Sequence, residues 1–420
     1  MPPTNVRDLD DDSVGFLLQA YVDLHTPNHR GGLHPDDLYD VCAALYGPGR
    51  CGDEYEDEDG DADAESRLWK YACQTLGLTT LPPSRTTWRG TYANLRSFLY
   101  FDGTLFRWQC KEGQLAAVDA KIAEVIDPFE AAMAAVRDVY AAFTGDGTVN
   151  LFGVDHVAMA DTIPAAMAAA HGVNVAALVE ALRAPSAALG AAQLRVQEVL
   201  LGRDRSKMTA LMWASWNGHV DVVRALLSAF QRFYPETEVH RLYDLTNAVT
   251  AKDMEGDTAL MQACARGHLE VVEAILAVQP TAEKMNRRLE SALTVAARTG
   301  RTDILKALLG TESVFGRSWR QVLEKESNRN RTPLMIAVEA GNTEAVRVLL
   351  EAGANVNHAS RLFGGVHALQ TALDLAGSSR VPHPEIVELL VAYGATTNTE
   401  DRAEIVRRAA EALGRPLLPL

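Results

Sequence analysis

No apolar run in these 420 residues approaches the ~20 residues that a membrane-crossing helix needs. The opening stretch, MPPTNVRDLDDD, lacks the basic-then-apolar order of a secretory leader. A soluble chain of the cytoplasm or nucleus is therefore expected. Cysteine is scarce: Cys42, Cys51, Cys73, Cys110 and Cys264 are irregularly spaced and odd in number, which fits reduced thiols better than a disulfide framework. His25, His29 and His34 lie near Cys42 and Cys51, but their spacings match no zinc module, so no metal is expected. Basic excess is missing too, with 40 Lys+Arg against 55 Asp+Glu and no basic stripe, which argues against nucleic acid as the main partner. There is no phosphate-cradling G-x-x-x-x-G-K-[ST], no G-x-S-x-G elbow, no H-E-x-x-H and no kinase signature. Neither an enzyme nor a cofactor site is expected, and Gly145-Asp146-Gly147-Thr148 with Asp155-His156 reads as a turn between helices.

The formal charge of −15 is unevenly placed. From residue 201 onward 26 Lys+Arg balance 26 Asp+Glu, so the first 200 residues carry the whole excess. Nine of the thirteen residues from Asp53 to Glu65 are acidic, a composition that cannot pack and predicts a disordered loop over 52–66. It is no EF-hand, because setting Gly60 at the loop's glycine position would make Tyr55 the first ligand and Ser66 the last.

What the chain does have is self-similarity. Five copies of one pattern open at Thr209 (TALMWASWNGHVDVVRALL), Thr258 (TALMQACARGHLEVVEAIL), Ser291 (SALTVAARTGRTDILKALL), Thr332 (TPLMIAVEAGNTEAVRVLL) and Thr371 (TALDLAGSSRVPHPEIVELL). In the second copy, Thr258 can cap a short helix whose Leu260 and Ala263 face inward, and Gly267 ends it. Leu269, Val272 and Ile275 stripe a second helix that one unit cannot bury alone, so the next unit must cover it. The segment Asp253-Met254-Glu255-Gly256-Asp257 reads as a hairpin tip with glycine where positive φ is easiest, and Asn330 holds that place before Thr332.

This pattern, with the ending Glu351-Ala352-Gly353-Ala354-Asn355-Val356-Asn357, resembles ankyrin repeats over residues 203 to 400. The resemblance implies an all-α solenoid of stacked helix-turn-helix units joined by short hairpin loops, and a protein as ligand. Departures from the family pattern are visible. Its histidine is replaced by Met212, Met261, Thr294, Met335 and Asp374, so a usual capping hydrogen bond is expected to be lost. The hairpin glycine is missing before Thr209, Ser291 and Thr371. The copies start 49, 33, 41 and 39 residues apart, with the excess in loops around 230–250, 311–326 and 358–368.

Residues 101–202 form an alanine-rich helical region with fainter copies. Thr104, Phe106, Gly113 and Val118 fall at ankyrin offsets, as do Pro164, Ala168 and Gly172, although alanine-rich helices match such patterns easily. Residues 401–420 hold a capping helix over Ala403 to Leu413, with Ile405, Ala409 and Leu413 on one side, followed by a tail.

Residues 1–100 read as a small helical domain. Val14, Phe16, Leu17, Leu18, Tyr21 and Val22 make one short apolar helix, and Leu38, Val41, Cys42 and Leu45 line a second. Asp37-Leu38, Val41-Cys42, Leu68-Trp69-Lys70, Cys73 and, after Pro82-Pro83, Trp88-Arg89 and Tyr92 together resemble F-box proteins. That resemblance implies docking on the Skp1 adaptor of a cullin-RING ubiquitin ligase through Val14, Phe16, Leu17, Leu18, Tyr21, Leu38, Val41 and Cys42. The box's opening leucine-proline is absent, and the acidic insert separates the helices from Trp69. The competing reading is that the Trp and Tyr residues here only cap the end of the stack.

Ankyrin geometry places target contacts at the hairpin tips and at the ends of the first helices. Those positions hold Trp216, Asn217, Arg266, Arg298, Thr299 and Glu339, with tips at Met254, Glu255 and Asp257 and at Asn328, Arg329 and Arg331. Trp216, Arg266 and Arg298 are the expected anchors, since Trp and Arg dominate interface energetics. The functional expectation is a monomeric substrate adaptor that couples a target protein to ubiquitination, as such architectures do in eukaryotic cells and among effectors and viral host-range proteins. The alternative is a non-catalytic scaffold or inhibitor without a ubiquitin link.

Overall fold

The computed structural model describes residues 78, 91, 104–144, 175–233, 245–278, 284–310, 322–361, 369–378, 383–397 and 402–416. Among them the molecule is a stack of helix pairs, all-α apart from one two-residue strand pair. The helices are α1 (Leu105–Lys111), α2 (Leu115–Thr144), α3 (Val175–Val196), α4 (Ala210–Asn217), α5 (Val220–Phe233), α6 (Ala259–Arg266), α7 (Leu269–Val278), α8 (Ala292–Thr299), α9 (Thr302–Gly310), α10 (Pro333–Glu339), α11 (Thr343–Glu351), α12 (Ala372–Ser378), α13 (Pro384–Ala392) and α14 (Arg402–Leu413). The strands β1 (Ser360–Arg361) and β2 (Leu369–Gln370) pair antiparallel. The loop excess foreseen at 230–250 is in part helical: α5 runs to Phe233, and 245–249 form a further helical turn.

Helix pairing follows the sequence pattern. An inner row packs α1 on α4, α4 on α6, α6 on α8, α8 on α10 and α10 on α12, while α2, α5, α7, α9, α11 and α13 form an outer row closed by α14. Each inner helix starts the same way. The hydroxyl of Thr209, Thr258, Ser291 or Thr332 accepts from the N–H three residues on at 3.3 to 3.4 Å, satisfying a donor that the helix start leaves orphaned. Most of the inner-helix side chains that follow are buried, such as Leu211, Leu260, Leu293, Leu334 and Leu373. Each such burial is worth about 1.5–3 kcal/mol, and it is available only because a neighbouring unit supplies the other wall.

Where the family's histidine is absent, the cap is rebuilt in part by other atoms. Met212 Sδ accepts from Thr209 N at 3.5 Å, Thr294 and Ser291 share a hydroxyl hydrogen bond at 3.1 Å, and buried Asp374 accepts from both the N–H and the hydroxyl of Thr371. The expected loss of that cap is thus corrected for these three units.

Successive units meet at a repeated joint. Gly218 ends α4 at φ 79°, Gly267 ends α6 at φ 89°, and a Cβ on either would strike a side chain of the following unit, His268 or Arg301. The same joint holds α1 and α2 to α4 and α5. Gly113 has φ 73° and lies under His219, whose Nε2 donates to Lys111 O at 2.9 Å, as His268 Nε2 donates to Trp216 O at 3.1 Å. A carbonyl only accepts, so in both rings Nε2 carries the proton. Asn342 makes the equivalent bond with its amide, to Ala297 O and Arg298 O, both at 2.9 Å.

The first pair differs in its outer helix. α2 spans 30 residues, buries Val118, Ile122, Val125, Ile126, Phe129, Met133 and Val136, and packs lengthwise on α3, which a π-helical turn at Gln197–Leu201 extends. Phe129 of α2 meets Phe233 of α5 with ring centroids 4.9 Å apart. Nearby, the Arg232 guanidinium bridges Glu130 and Asp127 at 2.8 and 2.9 Å, an exposed cluster. The fainter copy at Pro164, Ala168 and Gly172 lies outside the described residues, as do the acidic segment 52–66 and every adaptor-binding candidate from Val14 to Cys42. The terminal helix α14 spans Arg402–Leu413 and buries Ile405 and Ala409.

Candidate functional site

Polar and charged side chains concentrate at the hairpin tips and the adjoining ends of the inner helices. Every described tip is built around a short acceptor side chain five residues before the capping hydroxyl: Asp204, Asp253, Asn286 and Ser327. Asp253 Oδ1 accepts from Glu255 N and Asp257 N at 2.9 Å, Asn286 Oδ1 from Arg288 N and Glu290 N at 2.9 Å, and Ser327 Oγ from Arg329 N and Arg331 N at 3.4 Å. Asp204 Oδ1 takes Met208 N at 2.8 Å. These local bonds fold the tip and force its fourth residue into the left-handed region. Gly256 and Asn330 sit there, as the sequence predicts, but so do Lys207 at φ 61° and Leu289 at φ 58°. The missing glycines therefore do not change the turn.

Tips are laced to one another. Met254 N donates to Ser206 O, Arg287 N to Glu255 O and Asn328 N to Arg288 O, at 3.0, 3.0 and 2.8 Å. One repeated register carries the row of tips from Asp204 to Arg331.

The expected anchors occupy this surface in different ways. The Trp216 ring is half-buried under the guanidinium of Arg266, 3.8 Å from the ring centroid, so the two satisfy each other across neighbouring units. Arg298 is exposed and reaches Glu290 at 3.4 Å. Asn217 is exposed and donates to Trp213 O, and Thr299 donates to Val295 O. Glu339 accepts from Arg331 Nε at 2.8 Å, and Arg331, mostly covered, also donates to Gln370 and so ties the fourth tip to β2. Met254, Glu255, Asn328 and Arg329 are exposed at the tips. Asp257 is half-buried and accepts from Asn286 Nδ2 at 2.7 Å, and burial holds its carboxyl above the usual carboxylate range.

Two groups escaped the sequence reading. The joint residues His219, His268, Arg301, Asn342 and His383 each cover the preceding unit's glycine, and the signal for them is position alone, one residue after glycine in four copies. His358 lies between Glu324 and Glu326 at 3.1 and 2.9 Å, and Ser360 also donates to Glu326. Cys110 and Cys264 are buried and carry no disulfide, and burial pushes both thiols well up. Among the described residues no group of His, Cys, Asp and Glu could hold a metal, and no helix is long and apolar enough to cross a membrane.

A stack of short paired inner and outer helices, laced at its tips and joined through a glycine and the next unit's polar side chain, defines a helical-repeat solenoid. Residues 236–316 and 317–401 match the family model "Ankyrin repeats (3 copies)" and residues 206–230 match "Ankyrin repeat", so residues 206–401 are ankyrin repeats. No curated protein matches the chain. Ankyrin repeats are a protein-binding architecture, and no catalytic domain is identified. These matches lend no support to the F-box resemblance.

Proposed function

We propose that the ankyrin stack binds a target protein along the ridge formed by the tips and inner-helix ends, with the Trp216 and Arg266 pair and Arg298 as central contacts. The observation that supports this reading is the stacking of Arg266 on Trp216, which holds a pre-ordered cation at the inner-helix ends of two adjacent units. Because Trp216 is half-buried, the informative variant leaves it intact: Arg266→Ala with Arg298→Ala in the full chain. Capture of partners from a eukaryotic lysate should fall at least tenfold while the thermal midpoint moves by no more than about 2–4 °C. Undiminished capture refutes the placement.

The finer reading is that the N-terminal region links this target to a Skp1-cullin ligase in the cytoplasm or nucleus, supported by the F-box resemblance alone. The competing cap role draws support from α1, where Phe106, Trp108 and Cys110 are fully covered, and from buried Leu78 and Thr91. Point variants are the better test, because they leave the rest of the chain in place. Full-length chain should capture Skp1 and cullin, and Leu17→Asp with Val41→Asp should abolish that capture. If the wild-type chain brings down neither, the ligase link is wrong.

A further inference from the structure

The tip row separates its charges. All but one of its acids turn inward: Asp204 Oδ2 accepts from Trp213 Nε1 at 2.9 Å, Asp253 Oδ2 from Gln262 at 2.7 Å, Asp257 Oδ1 from Asn286 at 2.7 Å, and Glu290 is buried beside Asn286 and Arg298, while Glu255 stays exposed 3.9 Å from Arg288 and leaves the cations in excess. Its cations Lys207, Arg287, Arg288 and Arg329 stay exposed. In a chain of net charge −15, this edge therefore faces solvent with the opposite sign.

Two large apolar side chains stand exposed among those cations. Met254 is 47% and Leu289 48% exposed, on adjacent tips bonded through Arg287 N and Glu255 O. Leu289 carries a second cost, because its φ of 58° is disfavoured for any residue with a Cβ and the same register holds glycine on the neighbouring tip, at Gly256. A leucine that is both strained and half in water has no folding purpose there, and strain kept at an exposed site points to function.

We infer that the tip row captures an extended acidic segment of the partner protein, with one apolar side chain seated against Leu289 and Met254 and flanking carboxylates on Arg287, Arg288, Arg329 and Lys207. This rests on the ridge being a protein-binding surface, and it names the chemistry of what binds there. Arginine forks suit carboxylates in two-point contact. Single-stranded nucleic acid is disfavoured because it needs open aromatic faces, whereas Trp216 is covered by Arg266 and Trp213 is held through its indole N–H by Asp204.

The test is selection of a random dodecapeptide display library on the full chain. Enriched peptides should carry net negative charge with at least one large aliphatic or aromatic residue. Binding of the selected peptides should drop tenfold or more on Leu289→Gly, a variant whose thermal midpoint should rise because the strain is relieved, and likewise on Arg287→Glu with Arg288→Glu. No enrichment, enrichment of neutral or basic peptides, or full binding to Leu289→Gly overturns the inference. So does a twenty-residue oligothymidylate that binds more tightly than the peptides. If the peptides fail but lysate capture still depends on Arg266 and Arg298, the ridge remains the binding site and only the acidic-segment chemistry is wrong.

Discussion

The first helix pair and the matched repeats share a joint but not a shape. α1 and α2 meet α4 and α5 through Gly113, His219 and the Lys111 carbonyl, the same contact that Gly218, His268 and the Trp216 carbonyl make one unit later. Yet the outer helix is 30 residues long in the first pair and 9 to 14 in the units that follow. Stacking is thus specified by a few residues at each joint, and what hangs beyond the joint is free to grow. The family match begins at residue 206, and the first pair has Gln114 where the later units have His219 or His268.

If the long hairpin of α2 and α3 is part of one cooperative stack, its contact with α5 has to hold the whole chain together. Phe129→Ala removes the ring that meets Phe233 in a buried site and should cost about 3–5 kcal/mol, the largest effect expected here. Denaturant unfolding followed by both far-UV circular dichroism and the tryptophan fluorescence should then shift as a single transition. Two separated transitions would show that the first pair is an appendage that folds apart from the repeats.

A smaller change probes the joint directly. Alanine at Gly113 would be strained at φ 73° and would put a Cβ 2.6 Å from the His219 ring, displacing its bond to Lys111 O. The two effects together amount to about 2–3 kcal/mol. Gly267→Ala, under Arg301 at 2.7 Å and φ 89°, should cost a similar amount, and a clearly milder Gly113→Ala would mean that the first joint is the weaker one.

The helices, their caps and the joint glycines were legible from the sequence because each rests on a local rule: a hydroxyl three residues before its donor, an apolar stripe, a glycine at the turn. Tip geometry was legible only where glycine or asparagine marks it. Lys207 and Leu289 were hidden because what drives the turn is the acceptor three residues earlier, Asp204 or Asn286, and the backbone follows whichever residue is next in line. The surface residues were legible in place but not in condition. Sequence spacing puts Trp216, Arg266 and Arg331 on the ridge, whereas only the packing of neighbouring units shows that the first two cover each other and that Arg331 is tied down between Glu339 and Gln370.

The tips vary between units where the joint glycine does not, and the smallest effect expected tests one such difference. The residue just before the capping hydroxyl is Met208, Asp257, Glu290 and Arg331 in successive tips. Asp257 is held above the ordinary carboxylate range by burial, with Asp253 and Glu290 adding repulsion and the Asn286 amide opposing it. A carboxylate whose folded pKa is raised contributes stability that is fully present below its unfolded pKa of about 3.9 and lost as the pH rises through the folded value. At neutral pH the ionised Asp257 is therefore a liability of the second tip. Asp257→Asn keeps an oxygen to accept from Asn286 and stays neutral at every pH, so it should gain about 0.5 kcal/mol at pH 7 and nothing at pH 3. Chemical denaturation at the two pH values reads this difference. A gain of equal size at both would place the effect in packing and leave the charge of the second tip without consequence for the fold.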